Sequence, residues 1–129
     1  MKLYLAVMLG GALGSGARLW LSGWMAHRFG ETFPIGTLVV NVSGCLAIGL
    51  VAGLTGPQGI FLASPVMRQM VMVGILGGFT TFSSFGLQTF ALVSEGDWFR
   101  AGLNVVGSVV LCLLAVWLGH IVAAWIQTR

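Results

Sequence analysis

The segment between Arg68 and Glu95 carries no charged residue and is apolar except for a polar stretch near its middle. That stretch, residues 77–85, reads GGFTTFSSF. A charge-free apolar run of this length predicts a membrane-spanning helix. The Gly-Gly pair inside it predicts a break, which would free backbone N–H and C=O groups that lipid cannot satisfy. Such a break is tolerated only where it is buried in protein or lines a cavity, so it marks the first candidate for a functional site.

The rest of the chain is equally apolar, with 57% hydrophobic and 7% charged residues among its 129. Soluble domains carry about a quarter charged residues, so this composition predicts an integral membrane protein. We predict an all-α membrane protein whose short loops leave one four-helix transmembrane domain over residues 1–129. The predicted spans cover about residues 3–25, 35–54, 66–94 (broken near Gly77) and 101–126, each long enough to cross the hydrocarbon core.

The charged residues argue against a nucleic-acid partner, and the positions of the two cysteines argue against a disulfide or a metal site. The net charge is +3, and the six Lys and Arg residues are too scattered to form a nucleic-acid patch. We therefore expect the lipid bilayer, and no nucleic acid, as the surrounding partner. Cys45 and Cys112 fall inside predicted spans, where a thiol behaves as a small hydrophobe. A disulfide or a metal pair is the less favoured interpretation of these two cysteines.

The basic residues give no usable orientation bias, although Lys and Arg near span ends normally set topology. One side of the membrane receives Lys2, Arg68 and Arg129. The other side receives Arg28 and Arg100, and also Arg18 if the span limits place it there. One interpretation is that differences of one residue are noise. We favour a dual-topology chain that pairs as an antiparallel homodimer, because four helices alone leave little space for a pathway.

Glycine pairs at a spacing of four residues predict close contacts between helices. Gly10 and Gly14 form one G-x-x-x-G in the first span, and Gly49 and Gly53 form another in the second. Small residues at this spacing let two membrane helices approach until their backbones touch.

Three predicted spans carry a polar-to-small stripe on one helix face. The stripes are Thr37, Asn41, Cys45 and Gly49 in the second span, Thr81, Ser84 and Gln88 in the third, and Asn104, Ser108 and Cys112 in the fourth. One such stripe could be a set of interhelical hydrogen bonds that only holds the bundle together. Three stripes of neutral donors at membrane depth favour the lining of an ion pathway.

Two further features suit a small anion. Phe82 and Phe85 share a helix face, and the positive edge of an aromatic ring can meet an anion that the ring face would repel. Arg18 lies late in the first span and has two equally favoured interpretations: snorkelling to the interface, or a vestibule charge that attracts anions.

Three segments resemble those of the Fluc fluoride channels, small dual-topology proteins found mainly in bacteria, and the resemblance covers essentially the whole chain. Residues 10–14 read GGALG and are followed by Arg18, residues 36–41 read GTLVVN, and residues 77–85 match the family pattern G-G-x-T-T-F-S-T-F in all but one specified position. The third segment is highly specific. The chain departs from the family in having Ser84 for Thr, Gly86 for Ser and Gln88 for Glu.

The resemblance implies an antiparallel homodimer in the bacterial inner (plasma) membrane, with two separate fluoride pores. The residues expected in the fluoride pore are Arg18, Thr37, Asn41, Thr81, Phe82, Ser84, Phe85, Gln88 and Ser108. The family also implies a structural sodium ion on the two-fold axis, held by backbone carbonyls of Gly77 and Thr80 from both subunits.

The function we expect is a passive, fluoride-selective channel that exports fluoride and so relieves its toxicity. A dual-topology small-cation or drug exporter is the first alternative, but Glu31, Glu95 and Asp97 all fall in loops or at span ends, and such an exporter needs an acid at membrane depth. A non-transporting assembly subunit is the second alternative. We expect no enzyme, because the sequence shows no nucleophile with a base and no metal cluster.

Overall fold

A computed structural model describes residues 1–57, 59–61 and 63–129, and these residues form helices without any strand. The elements are α1 (Lys2–Phe29), α2 (Ile35–Leu54), α3 (Pro65–Gln69), a π-helical segment (Met70–Leu76), α4 (Gly77–Phe79), α5 (Phe82–Ser94) and α6 (Trp98–Gln127). The helical stretches long and apolar enough to cross a membrane number four, counted over the described residues: Lys2–Phe29, Ile35–Leu54, Pro65–Ser94 and Trp98–Gln127. The predicted all-α fold with four spans is confirmed.

The third span is interrupted as predicted, but the interruption falls at Thr80 and Thr81 rather than at the glycine pair. Thr80 has φ −77° and ψ 158°, and Thr81 has φ −152° and ψ 115°, so both backbones are extended. Gly77 keeps helical angles of φ −66° and ψ −36°. The Thr81 hydroxyl accepts a hydrogen bond from the Ser84 N–H at 3.2 Å and caps the new helix. Two threonines therefore end one helix and start the next.

The glycines instead bring α1 against the third span, as the first G-x-x-x-G predicts. A Cβ atom on Gly10 would lie 2.6 Å from the carbonyl oxygen of Met70, and one on Gly14 would overlap the carbonyl of Ile75. From the other side, a Cβ on Gly78 would lie 2.7 Å from the carbonyl oxygen of Gly11. The backbones of α1 and of the third span therefore touch without intervening side chains, which is possible only with glycine.

The second G-x-x-x-G packs α2 against α6. A Cβ on Gly49 would overlap the carbonyl of Val116, and one on Gly53 would lie 3.3 Å from the Nδ1 atom of His120. Residue numbers rise together along both helices, so α2 and α6 run parallel. A Cβ on Gly53 would also lie 2.5 Å from the Cβ of Ala123, and one on Gly119 would overlap the carbonyl of Leu46, so the two helices touch over several turns.

Candidate functional site

The break in the third span is held by the side chain of one residue on α2. The Asn41 Oδ1 atom accepts a hydrogen bond from the Thr81 N–H at 2.7 Å, and the Asn41 Nδ2 atom donates to the Thr81 carbonyl at 3.0 Å. In a continuous helix the Thr81 N–H would donate to the carbonyl of Gly77. Asn41 thus replaces the Gly77 carbonyl as the partner of the Thr81 N–H and adds a second hydrogen bond to the Thr81 carbonyl. An unpaired N–H at this depth would cost several kcal/mol.

The same rearrangement frees carbonyl groups where the first helix ends, and two of them belong to the predicted cation site. The Gly77 carbonyl loses its helical donor because the Thr81 N–H turns to Asn41. The Thr80 carbonyl loses its helical donor because the Ser84 N–H turns to the Thr81 hydroxyl, and it accepts instead from the Arg18 Nη1 atom at 3.4 Å. A carbonyl oxygen has two lone pairs, so the Arg18 contact leaves one available. Free carbonyls at a helix break suit a hard cation, and these two groups fit the expected sodium ion.

A polar cavity of about 930 Å³ opens between α1, α2 and α5, and we call it the vestibule. Glu31, Glu95 and Arg100 lie where helices begin or end, so they mark its mouth. Its deeper lining includes five of the predicted pore residues, namely Arg18, Thr37, Thr81, Ser84 and Gln88.

Two side chains, Arg18 and Gln88, set the main electrostatic features of the vestibule. Arg18 contributes its charge at the level of the break, since its guanidinium reaches the Thr80 carbonyl. The Oε1 atom of Gln88 is buried and has no hydrogen-bond partner within the described ranges. A buried acceptor of this kind requires a donor, which a water molecule or a partner side chain would supply.

A second, more apolar cavity of about 410 Å³ lies on the other side of the break, and we call it the aromatic cavity. Its lining includes Asn41, Cys45, Gly77, Thr80, Thr81, Phe82, Phe85, Ser108 and Cys112. The rings of Phe82 and Phe85 are 5.2 Å apart at their centroids and tilted by 41°. Phe85 is buried, with 8% exposure, whereas Phe82 is 81% exposed at the edge of the cavity. One protomer therefore leaves this aromatic pair open on one side.

The structure brings every predicted site residue to one of these two cavities. Arg18, Thr37, Ser84 and Gln88 line the vestibule, the phenylalanines, Asn41, Ser108, Gly77 and Thr80 line the aromatic cavity, and Thr81 lines both. Residues from all four spans thus meet around one break in the backbone.

One polar residue of the predicted stripes lines neither cavity, and several polar lining residues, Ser15 among them, were not predicted. Asn104 is buried between helices, where its Nδ2 atom donates to the Thr89 hydroxyl at 2.8 Å and its Oδ1 atom accepts from Ser108 at 3.4 Å. It joins α5 to α6. Ser15 lines the vestibule and donates to the Gly78 carbonyl at 3.4 Å. Its position three residues before Arg18 is the sequence signal that could have identified it.

We expect Asn41→Ala to destabilise the protein, because it leaves the Thr81 N–H without a partner and removes a second hydrogen bond to the Thr81 carbonyl. Each orphaned buried group costs about 1–3 kcal/mol. Ser43→Ala is the matched control on α2, since the Ser43 hydroxyl donates only to carbonyls of its own helix. Unfolding in detergent, followed by circular dichroism against temperature, measures both. Equal midpoints for the two variants would contradict the role given to Asn41.

Comparison with known proteins identifies the family of this chain. A family model described as "CrcB-like protein, Camphor Resistance (CrcB)" matches residues 5–120. The chain is 61% identical over 128 residues to a protein of Opitutus terrae named "Fluoride-specific ion channel FluC", covering 99% of this chain and 97% of that relative. A FluC protein of Paramagnetospirillum magneticum is 57% identical over 127 residues, covering 98% and 99%. One of Rhodospirillum rubrum is 55% identical over 124 residues, covering 96% of each.

These relatives carry the name of an ion channel, which is not an enzymatic function. The family match extends over most of the chain, and more than half of the residues are identical across nearly the full length of each relative. The chain therefore belongs to the CrcB family, the family of the FluC proteins.

Proposed function

We propose that this protein is a passive, fluoride-selective channel that exports fluoride from the cell. The observation that carries the proposal is the meeting of a polar vestibule and an aromatic cavity at Thr81, in a chain whose near full-length relatives are named fluoride-specific channels. Hydrogen fluoride enters a cell as a neutral molecule and dissociates inside. A channel then lets the anion leave down its electrochemical gradient.

The lining offers fluoride neutral donors rather than fixed charges along most of the path. Arg18 attracts the anion into the vestibule, and hydroxyls of Thr37, Thr81 and Ser84 then replace part of its water shell. Beyond the break, the Asn41 amide, the Ser108 hydroxyl and the ring edges of the phenylalanines do the same. Neutral donors bind a small anion strongly enough to admit it and weakly enough to release it, as conduction requires.

Gln88 has a specific place in this path. Its buried Oε1 atom lacks a donor within the described part of the chain, and its amide N–H₂ remains a donor for an anion. An amide at this position carries no charge at any physiological pH, so the vestibule lining keeps no carboxylate at this depth. A carboxylate here would repel fluoride until it became protonated.

The positions of the carboxylates favour passive flow over exchange. The chain has three acidic residues: Glu31 lies between α1 and α2, Glu95 ends α5, and Asp97 caps α6. A proton-coupled exporter of small cations or drugs needs an acid at membrane depth to exchange protons for substrate. With all three acids at helix ends, we favour a channel over that alternative.

We further propose that two copies assemble antiparallel and form two pores in the bacterial inner membrane. Phe82 is 81% exposed beside the aromatic cavity, and a second copy packed on this face would complete the aromatic site. Arg18 lines the cavity whose mouth holds Arg100, so we count it on that side. The balance is then three against three: Lys2, Arg68 and Arg129 on one side, and Arg18, Arg28 and Arg100 on the other. An even count suits insertion in both orientations.

A structural sodium ion at the two-fold axis would complete this assembly. The carbonyls of Gly77 and Thr80, both freed by the break, are the groups that would hold it in each subunit. The ion would neutralise carbonyl oxygens that otherwise face each other across the axis. The positive charge of Arg18 near the Thr80 carbonyl would lower the affinity of the site for sodium. The second lone pair of that carbonyl oxygen would still be available to the ion.

The proposed function predicts that liposomes containing the purified protein release fluoride rapidly and retain chloride. A fluoride electrode measures the release, which starts when an ionophore dissipates the membrane potential. Release should proceed without a pH gradient and should be unchanged by a protonophore. A requirement for a proton gradient would overturn passive flow. A well-folded dimer that releases no fluoride would favour the non-transporting assembly subunit.

The aromatic cavity predicts a selective loss of flux in Phe82→Ile and Phe85→Ile. If each ring edge contributes about as much as an aromatic pair contact, loss of one slows release about two- to tenfold. Phe90→Ile is the control, because Phe90 is an exposed phenylalanine of α5 that lines neither cavity. Initial rates of release per protein decide the outcome. Slowing by Phe90→Ile to the same degree would indicate that the aromatic cavity is not the path.

The sodium proposal predicts that the dimer is more stable in sodium than in N-methylglucamine. A ligand bound only by the folded dimer adds about 1.4 kcal/mol for each tenfold rise in its concentration above Kd. Thermal midpoints across a sodium series, with light scattering to report the dimer, measure this effect. Midpoints that do not move with sodium would contradict the site, and a monomer throughout would contradict the assembly.

A further inference from the structure

The two cysteines line the same cavity, although the sequence presents them only as small residues of separate spans. Cys45 lies one turn before Gly49 on α2 and Cys112 lies one turn before Val116 on α6, and Gly49 and Val116 touch where the two parallel helices meet. The two thiols are therefore close neighbours in the cavity wall. Both are half-buried and neither forms a disulfide. The tight glycine contact one turn further along α2 and α6 fixes this proximity.

The thiol pair belongs to the wall of the aromatic cavity. Cys45 follows Asn41 by one helical turn, Cys112 follows Ser108 by one turn, and all four residues line the same 410 Å³ space as Phe85. An atom bound between the two sulfurs would therefore lie one helical turn from Asn41 and Ser108, in the same cavity. The function described above assigns the thiols no role.

The surroundings of the pair restrict the metal it could bind. Outside Gln58 and Leu62, no group of three or more His, Cys, Asp or Glu side chains is placed to hold a metal ion. A tetrahedral zinc site, which takes four ligands, therefore does not fit. Two thiolates do satisfy soft cations with a linear, two-coordinate preference, and thiolate ligands select soft over hard metals.

We propose that Cys45 and Cys112 form a two-thiolate site for a soft, two-coordinate cation of the Cu⁺, Ag⁺ or Hg²⁺ class, and that the bound cation blocks the aromatic cavity. For Hg²⁺, two S–H bonds break, two Hg–S bonds form and two protons leave to solvent, with no change in oxidation state. The blocking part rests on the proposed function, whereas the binding part does not.

The binding test uses mercuric nitrate and the reduced, detergent-purified dimer in a chloride-free buffer. We expect one Hg²⁺ per chain, read from the ultraviolet thiolate-to-mercury absorption and from loss of both titratable thiols. The double variant Cys45→Ala/Cys112→Ala is the control, because the chain has two cysteines in total and the variant keeps all six methionines. It should bind none. A stoichiometry of one Hg²⁺ for every two chains would overturn the site. Equal binding of Hg²⁺ by the double variant would do the same.

The blocking test measures fluoride release with and without Hg²⁺ for the same two proteins in liposomes. We expect release by the native chain to fall to the rate of protein-free liposomes and to recover with dithiothreitol. Release by the double variant should be insensitive to Hg²⁺. Binding at one per chain with unchanged release would overturn the blocking part alone. If the native chain released no fluoride before metal is added, the proposed channel function would fail. The metal-binding result would then be judged separately.

Discussion

The structure depends on one constraint: a backbone broken inside a membrane must find its hydrogen-bond partners within the protein. Asn41 meets that constraint with two hydrogen bonds to Thr81. Because the extended residues are held there, α5 starts anew at Phe82 and places Phe82 and Phe85 in the aromatic cavity. The carbonyl of Gly77 is freed by the same exchange of partners. A single side-chain amide thus positions both the aromatic pair and the candidate cation site.

In the pathway that we propose, the two cavities would act on an ion in different ways, and the break lies between them. The vestibule is wide and polar and holds Arg18, so an anion can enter it with most of its water shell. The aromatic cavity is less than half as large and mainly apolar, so an ion there must exchange water for protein donors. Thr81 lines both and lies at the transition. Placing neutral donors there limits how tightly an ion is held.

The sequence predicted the spans well, because length and hydropathy alone determine which segments can cross a membrane. The bounds predicted for the second span, residues 35–54, are those observed. The break was predicted near Gly77 and Gly78 and lies a few residues further on, at Thr80 and Thr81. The residue that holds it is on another helix, so local propensity does not indicate its exact place. Asn104 and Ser108 share one helix face, and only the packing of α5 reveals that Asn104 is a helix-to-helix contact. The π-helical segment was not predicted, and the structure shows that α1 contacts it where Gly10 meets Gly74.

Asn41 joins two duties that a protein engineer would prefer to separate. It supports the backbone at the break and also presents its amide to the space through which we propose that ions pass. A substitution intended to retune ion preference there would first disturb the scaffold, so a change in selectivity could not be distinguished from a change in folding. Redesign of this position would need a compensating donor and acceptor for Thr81, introduced from a neighbouring residue before Asn41 is altered.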